Sequence, residues 1–127
     1  MKEFTEHQEQ VALMKWIEIF SRFYPCLSLI FAVPNGGKRH PKTAKNLKAE
    51  GVKAGVPDLF LPVAKGLSHG LFIEMKKVSA KPKRGGKGGV RDNQREWIEA
   101  LRGQGYSVEI CYGMDEARTV ITNYISK

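Results

Sequence analysis

A chain of 127 residues, 42% of them apolar, can bury one hydrophobic core, so we expect a single domain over residues 1–127. Its two cysteines lack paired spacing and have no histidines at zinc-finger distances, which excludes a disulfide framework or a zinc finger. The polar N-terminus and the short apolar runs exclude a signal peptide and a membrane span, so we expect a cytoplasmic protein.

Positive charge is concentrated in two segments of a chain whose formal net charge is +8. Residues 38–53 contain six Lys or Arg and one acid, and residues 76–91 contain seven and no acid. A basic segment is often only a solvated surface. Here the two segments bracket the apolar middle of the chain, which favours contact with nucleic acid phosphates.

The first half of the chain contains two helical patterns with an extended one between them. Behind Thr5, an expected N-cap, apolar residues recur at spacings of three and four, which predicts a helix over residues 6–21. Residues 27–33 are apolar and end at a Pro-Asn-Gly-Gly turn, so we predict a buried strand and then a loop. Residues 43–50 have helical composition and stop before Gly51, which predicts a second helix.

The middle of the chain predicts a hairpin. Residues 58–63 and 71–77 have strand character and are joined by a turn at Ser68-His69-Gly70, which favours antiparallel pairing. Residues 81–89 are rich in Gly and Lys and cannot pack a core, so we predict a mobile loop there.

The last part of the chain predicts a strand between two helices. Asp92 is expected to cap a helix that ends near Gly103, followed by a strand over residues 106–111 and a helix over residues 115–125. The predicted order is α-β-(α)-β-β-α-β-α. This order predicts an α/β fold with a mixed sheet and helices on both faces, because the β-α-β step favours a parallel crossover.

The chemistry is predicted to centre on the hairpin. Side chains alternate along a strand, so Glu74 and Lys76 share the face opposite Met75. Asp58 opens the partner strand, which would bring its carboxylate beside Glu74. Two carboxylates and the Met75 backbone carbonyl are oxygen ligands that suit Mg²⁺ or Mn²⁺. Without a metal, the same residues would be an ion pair at a strand end and a strand cap.

These residues resemble the PD-(D/E)XK nucleases, and in detail the VRR-NUC branch. Its pattern is a first helix with Glu and then Gln four residues later, an Asn-Gly loop, a GxPDL segment, an E-x-K strand, and a Gln opening the next helix. Each motif is weak alone, but their order and spacing cover nearly the whole chain. The chain supplies them as Glu6 with Gln10, Asn35-Gly36-Gly37, Gly55-Val56-Pro57-Asp58-Leu59, Glu74-Met75-Lys76 and Gln94.

The resemblance implies a restriction-endonuclease-like fold and a metal-dependent nuclease. Asp58 and Glu74 would bind Mg²⁺ or Mn²⁺, and Lys76 would orient or deprotonate the attacking water and balance developing negative charge. The implied products carry 5′-phosphate and 3′-hydroxyl ends.

The resemblance also implies roles for two residues on helices. Glu6 would be an outer or additional metal ligand, because it shares the apolar helix face with Gln10, where a carboxylate is otherwise hard to justify. The alternative is that Glu6 only interacts with the dipole at the helix N-terminus. Glu9 is a rival candidate. It precedes Gln10 by one residue, which is a rotation of about 100° around the helix, so its side chain points off that face. Gln94 would lie near the site, where it would hold water or a phosphate.

Several further residues are predicted to bind DNA backbone phosphates without contacting the bases, and so without sequence specificity. They lie in the Asn-Gly loop and the Gly- and Lys-rich loop: Asn35, Lys38, Arg39, Lys81, Lys83, Arg84 and Lys87.

Stand-alone members of the family resemble Holliday junction resolvases, which implies a homodimer acting on branched DNA, of the kind encoded by phages. Three alternatives stay open. The chain would be a nucleic acid binding module that has lost turnover, a nuclease without structural selectivity, or a nuclease acting on RNA or a specific sequence.

Overall fold

The computed structural model of the chain describes residues 2–34 and 41–127. None of the helices within these two ranges is long and apolar enough to cross a membrane. Two short 3₁₀ turns, Pro25–Leu29 and Val78–Ala80, accompany the longer elements. In chain order those elements are α1 (Glu6–Phe20), β1 (Phe31–Ala32), α2 (Pro41–Ala49), β2 (Leu59–Leu61), β3 (Leu71–Lys76), α3 (Asp92–Gly103), β4 (Ser107–Tyr112) and α4 (Met114–Ile125).

The strands form one mixed sheet in the order β1-β2-β3-β4. β2 pairs antiparallel with both β1 and β3, and Leu59 lies opposite Ile73 in the register of β2 and β3. β3 and β4 are parallel and are connected through α3. The predicted hairpin, the parallel step and the order of elements are therefore confirmed.

Helices cover both faces of the sheet. On one face, Leu13 of α1 and Ile121 of α4 are fully buried in a cluster with Ile73 and Met75 of β3. On the other face, Ile98 of α3 packs in a second cluster that includes Phe72 of β3. The predicted alternation of β3 side chains is confirmed, and it directs Glu74 and Lys76 towards α3.

The prediction of a buried strand over residues 27–33 is wrong. Pro25 opens a 3₁₀ turn, in which Ser28 Oγ donates to the Pro25 carbonyl at 2.7 Å. Leu27 and Ile30, three residues apart, are buried, whereas Phe31 and Ala32 of β1 are both exposed. The apolar run therefore buries side chains at a 3₁₀ spacing, and the strand itself is only the two residues of β1.

Candidate active site

Asp58 lies one residue before β2, and its side chain takes the place of a backbone acceptor in the hydrogen bonding between β2 and β3. Its Oδ2 accepts a hydrogen bond from the Met75 backbone N–H at 2.7 Å. Its own carbonyl accepts from Val33 N–H at 2.8 Å. The carboxylate is thus fixed at the end of the sheet beside the last residues of β3.

The same register leaves the Met75 carbonyl without a donor from β2. Leu59 faces Ile73, so Pro57 falls opposite Met75 if the pairing is extended by one step of two residues. Proline has no N–H to donate. Pro57 therefore leaves this carbonyl oxygen open to a different partner beside Asp58.

Glu74 is 2% exposed and lies in contact with Asp58. Burial raises the pKa of Glu74 to about 9, and the neighbouring Asp58 carboxylate adds to that rise, while Lys76 opposes it. Burial likewise raises the pKa of Asp58, although the Met75 N–H works against it. Two buried carboxylates in contact repel each other unless a proton or a cation lies between them.

One oxygen of Glu74 indicates where that cation or proton belongs. Glu74 Oε1 accepts from Gln94 Nε2 at 2.6 Å. Glu74 Oε2 is buried and receives no hydrogen bond from the residues that the structure describes. An acceptor left in this state is costly, and a divalent ion is one partner that would satisfy it.

Lys76 is 4% exposed and held by three groups. Its Nζ donates to Gln94 Oε1 at 3.0 Å and lies 3.8 Å from Glu74 Oε1 and 4.0 Å from Glu6 Oε1. Gln94 therefore bridges the ammonium and the carboxylate, with its oxygen on Lys76 and its nitrogen on Glu74. Since the carboxylate only accepts and the ammonium only donates, this amide orientation is the one that suits both.

Gln94 is placed by the start of α3. Arg91 precedes the helix in extended conformation and its N–H donates to Gln94 Oε1 at 2.9 Å, so Arg91 and not Asp92 occupies the capping position. Gly55 packs against the same turn with φ +93°, where an added Cβ would lie 2.9 Å from the Asn93 carbonyl oxygen. A glycine at this position thus lets the segment before Asp58 approach α3 closely.

Glu6 lies in the first turn of α1, and its side chain is 54% exposed. The position of Glu6 on this helix face therefore does not by itself require a buried partner. Its link to the site is the 4.0 Å distance to Lys76 Nζ. Among the described residues, no group of three or more His, Cys, Asp or Glu side chains is arranged to hold a metal ion, and the carboxylates that meet at the site are the Asp58–Glu74 pair.

The chain is similar to a known protein family over most of its length. The family model of the VRR-NUC domain matches residues 4–115. The chain belongs to the VRR-NUC family. This is a family of nuclease-type domains, and the match confirms the resemblance drawn from the motifs.

A solved structure supports the same assignment. The chain is similar to a structure described as a VRR-NUC domain protein, with a TM-score of 0.78 and 33% sequence identity over 98% of this chain and 91% of that chain. The similarity confirms the restriction-endonuclease-like α/β fold. Among curated proteins, no sequence matches this chain.

The Gly- and Lys-rich loop of this VRR-NUC domain, residues 81–89, is called the basic loop below, and it is anchored at both ends. Lys81 Nζ forms an ion pair with Glu116 at 2.6 Å, and the Tyr112 hydroxyl donates to the Gly88 carbonyl at 3.0 Å. Gly89 follows, and a Cβ there would lie 3.8 Å from Lys76 Cδ, so the loop ends beside the site.

The predicted phosphate-binding residues fall into three groups. Lys83 and Arg84 are exposed on the basic loop. Lys81 and Lys87 are also exposed but have acidic neighbours, since Lys87 Nζ lies 3.9 Å from Asp92 Oδ1. The others, Asn35, Lys38 and Arg39, lie outside the described residues.

Sequence reasoning missed the role of Glu9. Its Oε1 accepts from the Met114 backbone N–H at 2.9 Å and so caps α4, 105 residues away. α4 follows Gly113 and has no side-chain cap of its own, which was the signal that an outside acceptor was required. Because Glu9 is used in this way, Glu6 is the acid of α1 that lies at the site.

The Glu9 cap predicts a stability difference. Glu9→Ala removes the acceptor and should lower the free energy of unfolding by about 1 kcal/mol, whereas Glu9→Gln retains an acceptor oxygen and should lose less. Thermal denaturation of both variants, with the exposed Glu18→Ala on the same helix as control, measures the difference. Equal losses for Glu9→Ala and Glu18→Ala would show that the cap contributes nothing.

Proposed function

We propose that this VRR-NUC domain is a divalent-metal-dependent DNA endonuclease that hydrolyses phosphodiester bonds, with preference for branched DNA such as a Holliday junction. The observation that carries the proposal is the buried Asp58–Glu74 pair beside Lys76, with Glu74 Oε2 lacking a hydrogen-bond donor among the described residues. A protein that only bound DNA would gain nothing from two adjacent carboxylates near a phosphate.

The donor set fits Mg²⁺ or Mn²⁺. These ions bind one or two carboxylates and complete their shell with waters and substrate phosphate oxygens. Asp58 and Glu74 would hold the ion, and the Met75 carbonyl would be a further ligand because Pro57 cannot donate to it. Glu6, whose Oε1 lies 4.0 Å from Lys76 Nζ, would contribute as an outer ligand.

Lys76 is the residue that we expect to act on the reacting groups. When bound, the divalent ion supplies positive charge to the phosphate and makes a water more acidic. Lys76, held by Gln94 as an ammonium, would orient the attacking water and balance the charge that develops on the phosphate. In-line attack on phosphorus with departure of the 3′ oxygen gives 5′-phosphate and 3′-hydroxyl ends.

A homodimer would suit a two-fold junction, because two cuts need two sites. The exposed apolar residues near the end of α1 support association. Phe23 is 72% exposed, Leu29 53% and Phe31 50%, a concentration of large apolar side chains that favours burial against another surface. The basic loop, with Lys83 and Arg84, would contact backbone phosphates.

Cleavage of a four-way junction, a flap and a linear duplex tests the proposal, with Mg²⁺, Mn²⁺ or EDTA. Asp58→Asn keeps an acceptor for Met75 N–H but loses the charge, and it should abolish cutting while leaving DNA binding intact. Asp115→Asn, with a side chain 90% exposed on α4, makes the same chemical change away from the site and should cut like wild type.

The results separate the alternatives. Metal-dependent cuts that favour the junction and are lost in Asp58→Asn support the proposal. Equal cutting of all three substrates keeps the nuclease and removes the selectivity. Binding that ignores divalent ions and never leads to cutting would establish a binding module.

A further inference from the structure

An open groove runs along α1 and reaches the candidate metal site. It encloses about 1320 Å³. At one end it is lined by Glu6, Asp58 and Met75, the groups placed at the site above, and at the other by Leu27 and Ser28 of the first 3₁₀ turn. A substrate bound at Asp58 would therefore extend directly into the groove.

The floor of the groove is apolar. Ile17, Leu27 and Ile30 are 3%, 0% and 8% exposed and form its base, and Val11 of α1, 39% exposed, forms one wall. Such a surface offers few hydrogen-bond partners, so it favours a flat apolar group over a sugar or a phosphate.

The rim carries charges of both signs. Lys15 of α1 and Lys77, directly after β3, line the groove and are exposed. Glu18 lies on the same helix and also lines it. The two lysines can pair with backbone phosphates at the rim while bases turn towards the floor, which is aliphatic here and not the aromatic platform found in many single-strand binding proteins.

We propose that this groove binds unstacked nucleotides that flank the scissile phosphate, with their bases against the apolar floor. The inference rests on the nuclease function proposed above. In a linear duplex the faces of the bases are stacked on each other and cannot reach such a floor, whereas bases at a branch or a flap can. The groove would thus be the source of selectivity for branched substrates.

Binding measured in EDTA tests the inference without catalysis. The probe is a fluorescently labelled flap duplex in which each nucleotide next to the branch is replaced in turn by an abasic residue. At one or more of these positions, loss of the base should weaken binding to the wild-type chain about fivefold or more. Abasic residues in the middle of a linear duplex should have no such effect.

Two matched variants on α1 place the effect in the groove. Val11→Trp fills the groove at an exposed position and should weaken flap binding about fivefold while duplex binding stays at the wild-type level. Ile19→Trp makes a similar change at a position 55% exposed that does not line the groove, and it should alter neither. Far-ultraviolet circular dichroism checks that both variants are folded.

Several outcomes overturn the inference. One is the absence of any abasic effect in a chain that still cuts branched DNA, which leaves the nuclease function standing. A second is wild-type flap binding by Val11→Trp. A third is a change of oligomeric state in Val11→Trp, seen by sedimentation, which would make the groove a subunit interface. An abasic effect without cleavage under any metal overturns the catalytic proposal alone.

Discussion

Lys76→Met should lower the turnover rate on branched DNA by about a thousandfold and leave cation binding in place. Methionine matches the apolar stem of the lysine side chain, so the packing at the end of β3 changes little. The variant removes the ammonium that lies 3.8 Å from Glu74 Oε1 and donates to Gln94. Without it, no positive group of β3 remains to hold the attacking water against the phosphate.

Single-turnover cleavage and a thermal-shift titration with Mn²⁺ measure the two parts of this prediction. Lys77→Met is the matched control, because it removes the same charge from the next residue, which is exposed. We expect the control to weaken DNA binding a few-fold and to leave the rate at saturating DNA unchanged. A rate for Lys76→Met within tenfold of wild type would contradict the role assigned to the lysine.

Glu74→Gln should have opposite effects on stability and on cation binding. The variant cannot neutralise a divalent ion with Asp58, so Mn²⁺ should no longer raise its melting temperature. In the absence of metal the variant should be more stable than wild type at alkaline pH, since its amide can donate to Asp58 without the proton that Glu74 must take up on folding. The expected gain is about 5 °C at pH 8.5, or about 1–2 kcal/mol.

The pH dependence of this gain has a definite sign. The pKa of Glu74 is raised by burial to about 9 in the folded protein, against 4.5 for the ordinary side chain. Between these values the folded chain holds a proton that the unfolded chain has released, so wild-type stability falls as the pH rises through this window. Glu74→Gln lacks this titration and should fall less.

Melting curves at pH 5.5 and 8.5, recorded in EDTA, check the sign. Glu109→Gln on the neighbouring strand β4 is exposed and makes the same substitution outside the site. Its melting temperature should follow wild type at both pH values. A gain for Glu74→Gln that is equal at the two pH values would show that the buried pair does not hold the proton.

The hairpin and the meeting of its two carboxylates were predictable from local patterns. Alternation along residues 71–77 placed Glu74 and Lys76 on one face, and the turn before Leu71 placed Asp58 beside them. These predictions need only the period of a strand and the length of a turn. The structure confirms the strand pairing and the contact between the two carboxylates.

Contacts between distant segments were not predictable in the same way. The periodicity of α3 places Gln94 inwards but does not reveal that it joins Glu74 to Lys76, because that depends on the packing of two elements. The apolar run after Pro25 carries no period that separates a strand from a 3₁₀ turn. The pairing of Glu9 with α4 likewise follows only from the tertiary fold.

The hydrogen bond from Met114 to Glu9 joins parts of the chain that are synthesised at very different times. Closing a loop of 105 residues costs more entropy than pairing β2 with β3, so we expect α1 to dock on α4 after the hairpin has formed. Asp58, Glu74 and Lys76 then come together first, and Glu6 arrives with α1. A nascent chain that lacks α4 would therefore contain the carboxylate pair with its lysine while the helix that forms one wall of the groove remains undocked.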